Sequence, residues 1–210
     1  MLTVFAFATP NSIKVLIALE ELGLPYELKS INVKAGEQKN PEFLALNANG
    51  KVPVLVEKLS NGEQFVLAES AAILVYLAEK NHALLPSDGA ARARVFEQLF
   101  FHASALSPAF GQSGFFKKMA AEKMPIAIDR FHGEANRTLK LLDQVLSKQA
   151  FVSGKEFSIA DIAHFGWIWR KAFAEVDFSD APNVARWYAE VEARPAVLRA
   201  INRANALVPA

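Results

Sequence analysis

The hydrophobic periodicity changes once along this chain, between His82 and Gly89, and that change limits the fold more than any other feature. Ahead of it, strand and helix patterns alternate; beyond it, apolar residues recur only at helical spacing. Leu2, Val4 and Ala6 fall on one face of a first strand and Thr3, Phe5 and Phe7 on the other. Both faces are mostly apolar, as in a strand covered on both sides. A tight loop, Ala8 to Ser12, leads into Ile13, Leu16 and Ile17, spaced i, i+3, i+4. Gly23 then follows Leu22, which predicts a helix over 12–22 with a glycine just past its end. Tyr26 to Val33 reads as a second strand, Val52 to Glu57 as a third and Phe65 to Ala68 as a fourth. Asn61-Gly62 is a hairpin signal between the last two, and a short helical piece surrounds Pro41 to Leu46. Glu69-Ser70 opens a helix whose apolar residues are Ala71, Ile73, Leu74, Tyr76 and Leu77.

The resulting order is a βαβ unit followed by a ββα unit, the pattern of an α/β thioredoxin-like domain over residues 1–82. Leu85-Pro86-Ser87-Asp88-Gly89 reads as a linker, within 83–90. Residues 91–210 are expected to form an all-α domain. Its first helix starts near Ala91 and bends or breaks near Pro108 and Gly111. A second runs from Pro125 to about Lys148, a third begins at Ser158, a fourth begins near Pro182, and a short helix follows Pro195. Ser158 reads as an N-cap with Asp161 at the third helical position, an acidic capping box.

Composition excludes several function classes. The chain has 52% hydrophobic and 21% charged residues, enough for a core and unlike a disordered chain. Its 23 basic and 22 acidic residues give a net charge of +1, with no basic run pointing to nucleic acid or an anionic membrane. No apolar run is long enough to span a bilayer, and MLTVFAFATP lacks the basic start and length of a signal peptide. The expectation is a cytoplasmic protein. There is no cysteine, so disulfides, thiolate metal sites and cysteine nucleophiles are excluded. His82, His102, His132 and His164 do not stand at metal-ligand spacing, and no metal is assigned.

In α/β folds, ligands collect at the carboxyl ends of strands and the N-termini of helices. Here those places are Thr9 to Ser12, the loop before Pro53, and Glu69-Ser70. A helix N-terminus with a hydrogen-bond donor favours a thiolate over a thiol. Thr9 offers a hydroxyl and Asn11 an amide where a cysteine-based redox domain would carry its cysteine, so the thiol must come from a ligand. The plainer reading is that Asn11 or Ser12 caps the helix. A cis Val52-Pro53 bond would offer the Val52 main chain to an extended peptide, whereas base rates favour trans. Ser70 would cap a helix whose N-terminus also suits a carboxylate, and Glu69 would pair with an ammonium; the same pair is a common helix start.

These segments, TPNSIKV at 9–15, GKVPVL at 50–55, LAESAAILVYLAE at 67–79 and FSIADI at 157–162, resemble the glutathione S-transferase superfamily. The likeness spans nearly the whole chain. TPN followed by Lys14, Gln38 ahead of Pro41-Glu42-Phe43-Leu44, GQSGFF at 111–116 and Ile128-Asp129-Arg130 look like the nu class of bacteria and its fungal relatives. Ser12 stands where that class usually carries glycine. The resemblance implies that Thr9 and Asn11 hydrogen-bond the glutathione sulfur. It implies that Val52, ahead of Pro53, pairs with the cysteinyl backbone, that Glu69 and Ser70 hold the γ-glutamyl end, and that Gln38 and Lys51 contact carboxylates. Arg130 would reach a second glutathione. A homodimer reducing disulfides with glutathione is expected. The alternatives are conjugation of electrophiles against Phe101, Phe110, Phe115, Phe116 and Trp167, a peroxidase side activity, or a non-catalytic glutathione-binding regulator. Those aromatics also read as core.

Overall fold

The computed structural model describes residues 1–208. The chain divides into two compact units, one formed by residues Met1–Ala83 together with the chain from Arg194 onward, the other by Leu84–Ala193.

The first unit is built on four strands, β1 (Leu2–Ala6), β2 (Tyr26–Ser30), β3 (Val54–Lys58) and β4 (Gln64–Ala68), in the order β2-β1-β3-β4. β1 and β2 run parallel, while β3 is antiparallel to both β1 and β4. Between β1 and β2 lies α1 (Ser12–Glu21); α2 (Pro41–Leu46) follows β2, and α3 (Ser70–Asn81) follows β4. Register explains the two-sided burial. Phe5 stands opposite Val54 and Thr3 opposite Val56, so Phe5, Val54 and Val56 share a face. Phe43 of α2 packs there with Phe7 and Val52. α1 is buried from Ser12 to Leu19. Its end is a Schellman motif, as the sequence predicts: Gly23 is left-handed at φ 63°, its N–H donates to Glu20 O, and the N–H of Leu24 donates to Leu19 O.

The strands are shorter than the apolar runs suggest. β2 ends at Ser30, and Val52 and Pro53 precede β3 rather than opening it. The last helix, α10 (Pro195–Asn205), is expected with the helical domain but packs in the first unit. Its buried stripe is Val197, Ala200 and Ala204, whose small side chains let it lie close along α1. Arg194, Arg199 and Arg203 then engage Glu21 and Glu20 at the end of α1.

The second unit is helical: α4 (Gly89–Phe101), α5 (Ser107–Gly114), α6 (Pro125–Leu146), α7 (Ile159–Ile168), α8 (Lys171–Ala174) and α9 (Pro182–Glu192). Of the expected bend or break near Pro108 and Gly111, the break does not occur. The helix continues from Gly89 to Met119, with wider π-type turns at His102–Leu106 and Phe115–Met119. Pro108 falls in the first turn of α5, and Gly111 serves packing: a Cβ there would lie 3.2 Å from the Trp167 ring. Gly114 is tighter still: the same imagined atom would run into the Phe173 ring. Every residue of α7 is buried. Ser158 and Asp161 form the predicted capping box, and Asp161 also accepts from the Val152 N–H and from Trp187 Nε1–H, each at 2.9 Å. Burial lifts the Asp161 carboxyl to about 6 in spite of these donors.

Candidate functional site

The loop after β1 gains its shape from Thr9. The Ser12 N–H donates to Thr9 Oγ1 at 3.1 Å, and the Thr9 hydroxyl donates to Ser12 Oγ at 3.0 Å. The Ile13 N–H reaches the Thr9 carbonyl at 3.2 Å. Thr9 therefore plays the capping part that the plainer reading gave to Asn11 or Ser12, with Pro10 where its missing N–H costs nothing. The Asn11 side chain caps no helix N–H. Its Oδ1 instead accepts from Lys14 Nζ at 2.8 Å. An ammonium has only donors, so this contact fixes the oxygen end of the amide and leaves Nδ2, with its two hydrogens, as the free end.

The second segment is a turn organised by Asn47. Asn47 Nδ2 donates to the Lys51 carbonyl at 2.8 Å, and its Oδ1 accepts from the Asn49 N–H at 3.0 Å. Gly50 is left-handed at φ 62°, and a Cβ there would stand 3.1 Å from the Gln38 carbonyl, so the turn requires glycine on two counts. The Val52–Pro53 peptide is cis. Val52 lies two residues ahead of the first paired position of β3, outside the ladder.

The third segment departs from expectation at Ser70. Glu69, not Ser70, is the N-cap of α3, and neither side chain caps the helix. Glu69 sits at φ 66°, ψ 110°, a conformation that costs a non-glycine residue about 1–3 kcal/mol and that concentrates at functional positions. It turns the exposed Glu69 side chain outward at the mouth of α3 while its carbonyl accepts the Ile73 N–H.

These segments meet around one cavity of about 250 Å³, lined by Asn11, Asn47, Asn49, Lys51, Val52, Pro53, Glu69 and Ser70. Six of those eight are sequence-predicted site residues. Asn47 and Asn49 were missed; their only signal was a turn-forming Asn-Ala-Asn-Gly run. Thr9 and Gln38 lie outside the lining. Thr9 is engaged with Ser12, and Gln38 Oε1 is buried without a hydrogen-bond partner. Arg130 is exposed on α6 in the second unit, where it helps Arg137 hold the Glu134 carboxyl below its usual range. A larger cavity of about 700 Å³ lies in the helical unit, among residues such as Glu97, Phe101, Leu141 and Val145. It lacks the converging helix N-termini of the smaller one, which are suited to anions.

The family described as "Glutathione S-transferase, N-terminal domain" matches residues 1–79, and "Glutathione S-transferase, C-terminal domain" matches 101–195. The chain belongs to the glutathione S-transferase family. It is 34% identical over 207 residues to the disulfide-bond oxidoreductase YfcG of Escherichia coli, covering 98% of this chain and 96% of that one. Among solved structures it is similar to a family member from Pseudomonas fluorescens with two glutathione bound, at 38% identity and TM-score 0.91, over 95% of this chain and 92% of that one. It is likewise similar to a glutathione transferase from Pseudomonas putida with one glutathione disulfide bound per subunit, at 36% identity and TM-score 0.87, over 95% and 90% of the two chains. In keeping with the family, the fold is a thioredoxin-like α/β domain with a helical one. Among the described residues no cluster of three or more His, Asp or Glu is disposed to hold a metal, and no helix is long and apolar enough to cross a membrane.

Proposed function

We propose that this chain reduces disulfides with glutathione, as a cytoplasmic homodimer of the nu class. The observation that carries the reading is the cavity itself. It joins an amide donor at a helix N-terminus, a main chain outside the ladder and a Glu-Ser helix mouth, in a protein without a thiol of its own. The YfcG relative is named a disulfide-bond oxidoreductase, and both structural neighbours were crystallised with glutathione or its disulfide.

Asn11 Nδ2 donates to the glutathione sulfur, aided by the positive end of α1, and the Thr9 hydroxyl turns from Ser12 to the same atom. Val52 pairs with the cysteinyl main chain beside Pro53. Glu69 takes the γ-glutamyl ammonium, while Ser70 and the α3 N-terminus take its carboxylate. Lys51 and the amide nitrogen of Gln38 serve carboxylates, and Arg130 attracts a second glutathione. The thiolate attacks one sulfur of the substrate disulfide, forming a mixed disulfide and releasing one thiolate, which takes up a proton. The second glutathione thiolate attacks the glutathione sulfur of that mixed disulfide. This releases the other substrate thiol and glutathione disulfide, so that two glutathiones supply the two electrons.

A second reading, conjugation of an apolar electrophile, draws support from the aromatic group in the helical unit. Phe116 stacks on Phe131 at 5.3 Å, and Phe115 is 43% exposed. Paired assays on the purified protein, one with hydroxyethyl disulfide and one with a chlorinated nitrobenzene, decide between them. Dominant disulfide reduction is expected; dominant conjugation would overturn the proposal.

A further inference from the structure

Lys14 is the buried cation of the first unit that the mechanism above does not use. It stands one helical turn after Asn11 on α1 and is 2% exposed. Its long side chain folds back toward the helix N-terminus, as side chains on helices do. Nζ lies 2.8 Å from Asn11 Oδ1 and 3.5 Å from Ser70 Oγ, so one ammonium touches the first turn of α1 and the first residue of α3. This is a costly place for a positive charge, being both dry and at the positive ends of two helices. A methionine of similar length would fill the space without that penalty.

We propose that Lys14 is a positioning residue for the thiol: its ammonium holds the Asn11 amide with the oxygen inward, so that the NH2 end is presented to the glutathione sulfur. Without that contact, the amide rotates freely and as often offers its oxygen, which repels a thiolate. This rests on the reading of Asn11 as the sulfur's donor. Burial draws the Lys14 ammonium down to about 7, with Glu69 pulling the other way, so the bound thiolate strengthens the charge that orients its own donor. Of the other charges on α1 and on the helices packed against it, Glu20 and Glu21 pair with Arg194, Arg199 and Arg203, Lys80 of α3 pairs with Glu57 of β3, and Glu79 also lies on α3. Lys51 lines the same cavity.

The test is a double-mutant cycle on the full chain with wild type, N11A, K14M and the double variant. Each is measured for disulfide turnover, for glutathione affinity by calorimetry, and for the ultraviolet thiolate absorbance of bound glutathione against pH. K14M should keep its glutathione affinity at a pH where the bound thiol is protonated, lose turnover by about tenfold, and raise the thiol's apparent pKa by about one unit, the equivalent of that factor. In the N11A background K14M should change turnover by less than about twofold, because a residue acting through Asn11 has nothing left to orient. Unchanged turnover and titration in K14M, or losses that multiply in the double variant, would overturn the proposal while leaving Asn11's role intact. Full activity and an unmoved titration in N11A would instead remove the underlying reading, and this proposal with it. K14Q, whose amide still donates to Asn11 Oδ1, should recover part of the lost turnover. If neither Lys14 variant folds, Lys14 is a folding residue and the proposal is wrong.

Discussion

Arg194 grips Glu21 through two hydrogen bonds, Nε to Oε1 at 2.6 Å and Nη2 to Oε2 at 2.8 Å, across 173 positions of sequence. Arg199 and Arg203 bind Glu20 beside it at 2.7 and 2.9 Å. The fork geometry is the strong form of such pairing. Because the arginine ends are one-third to one-half exposed, solvent takes back part of the gain. Arg194→Ala should therefore cost about 1 kcal/mol, and Arg194→Lys nearly as much, since lysine cannot match the fork. Urea unfolding at low and high salt checks this, the cost shrinking as salt rises.

Asp161 should matter more. Its carboxyl group accepts from Val152 N–H, Ser158 N–H and Trp187 Nε1–H, and receives the Ser158 hydroxyl, with no solvent exposure. Asp161→Ala strands several buried donors at once, at about 3 kcal/mol or more, from two or more bonds of roughly 1.5 kcal/mol each. Thermal unfolding should show a large drop in midpoint. A variant as stable as wild type would mean the network contributes nothing.

The burial of Lys14 sets a pH dependence whose sign can be worked out. Its amine is lowered from 10.5 to about 7 in the fold, so between those values the unfolded chain holds a proton that the folded one does not. Stability from this group is fully present above 10.5 and is lost as pH falls through 7. Lys14→Met removes the effect. The stability of that variant relative to wild type should grow as pH is lowered from 10 toward about 7 and level off below. Paired denaturant curves across that range would show it, and a constant difference would contradict it.

Glu69 holds a left-handed backbone that glycine adopts without strain. Glu69→Gly should leave stability unchanged or raise it by up to about 1 kcal/mol, while weakening glutathione binding. Calorimetric titration beside a melting curve separates the two effects. A variant that loses stability and keeps its affinity would mean that the conformation serves the fold alone.

Gly50 tests the reverse case. Gly50→Ala brings both a strained φ and a Cβ 3.1 Å from the Gln38 carbonyl, so the turn carrying Lys51 and Val52 must shift. A loss of about 1–2 kcal/mol is expected, with weakened glutathione affinity; unaltered affinity would show that this turn does not shape the cavity.

The sequence by itself determined the features that one turn or one strand decides. The strand and helix order, the Schellman end at Gly23 and the capping box at Ser158 and Asp161 depend on residues within a few positions of each other, so their pattern is complete in the sequence. Six of the cavity's residues were legible for the same reason, each lying at a strand end or a helix start. The tertiary structure decided what depends on distant partners. Thr9 rather than Asn11 is the capping side chain while Lys14 holds the Asn11 amide, and that same ammonium touches Ser70 of α3, 56 positions away in sequence. The cis form at Val52–Pro53 differs from trans by too little for local sequence to choose. The placement of α10 turns on a stripe of small residues and three arginines whose acidic partners lie near the other end of the chain. An amphipathic pattern states that a face will be buried, but which surface covers it is settled only when the whole chain has packed.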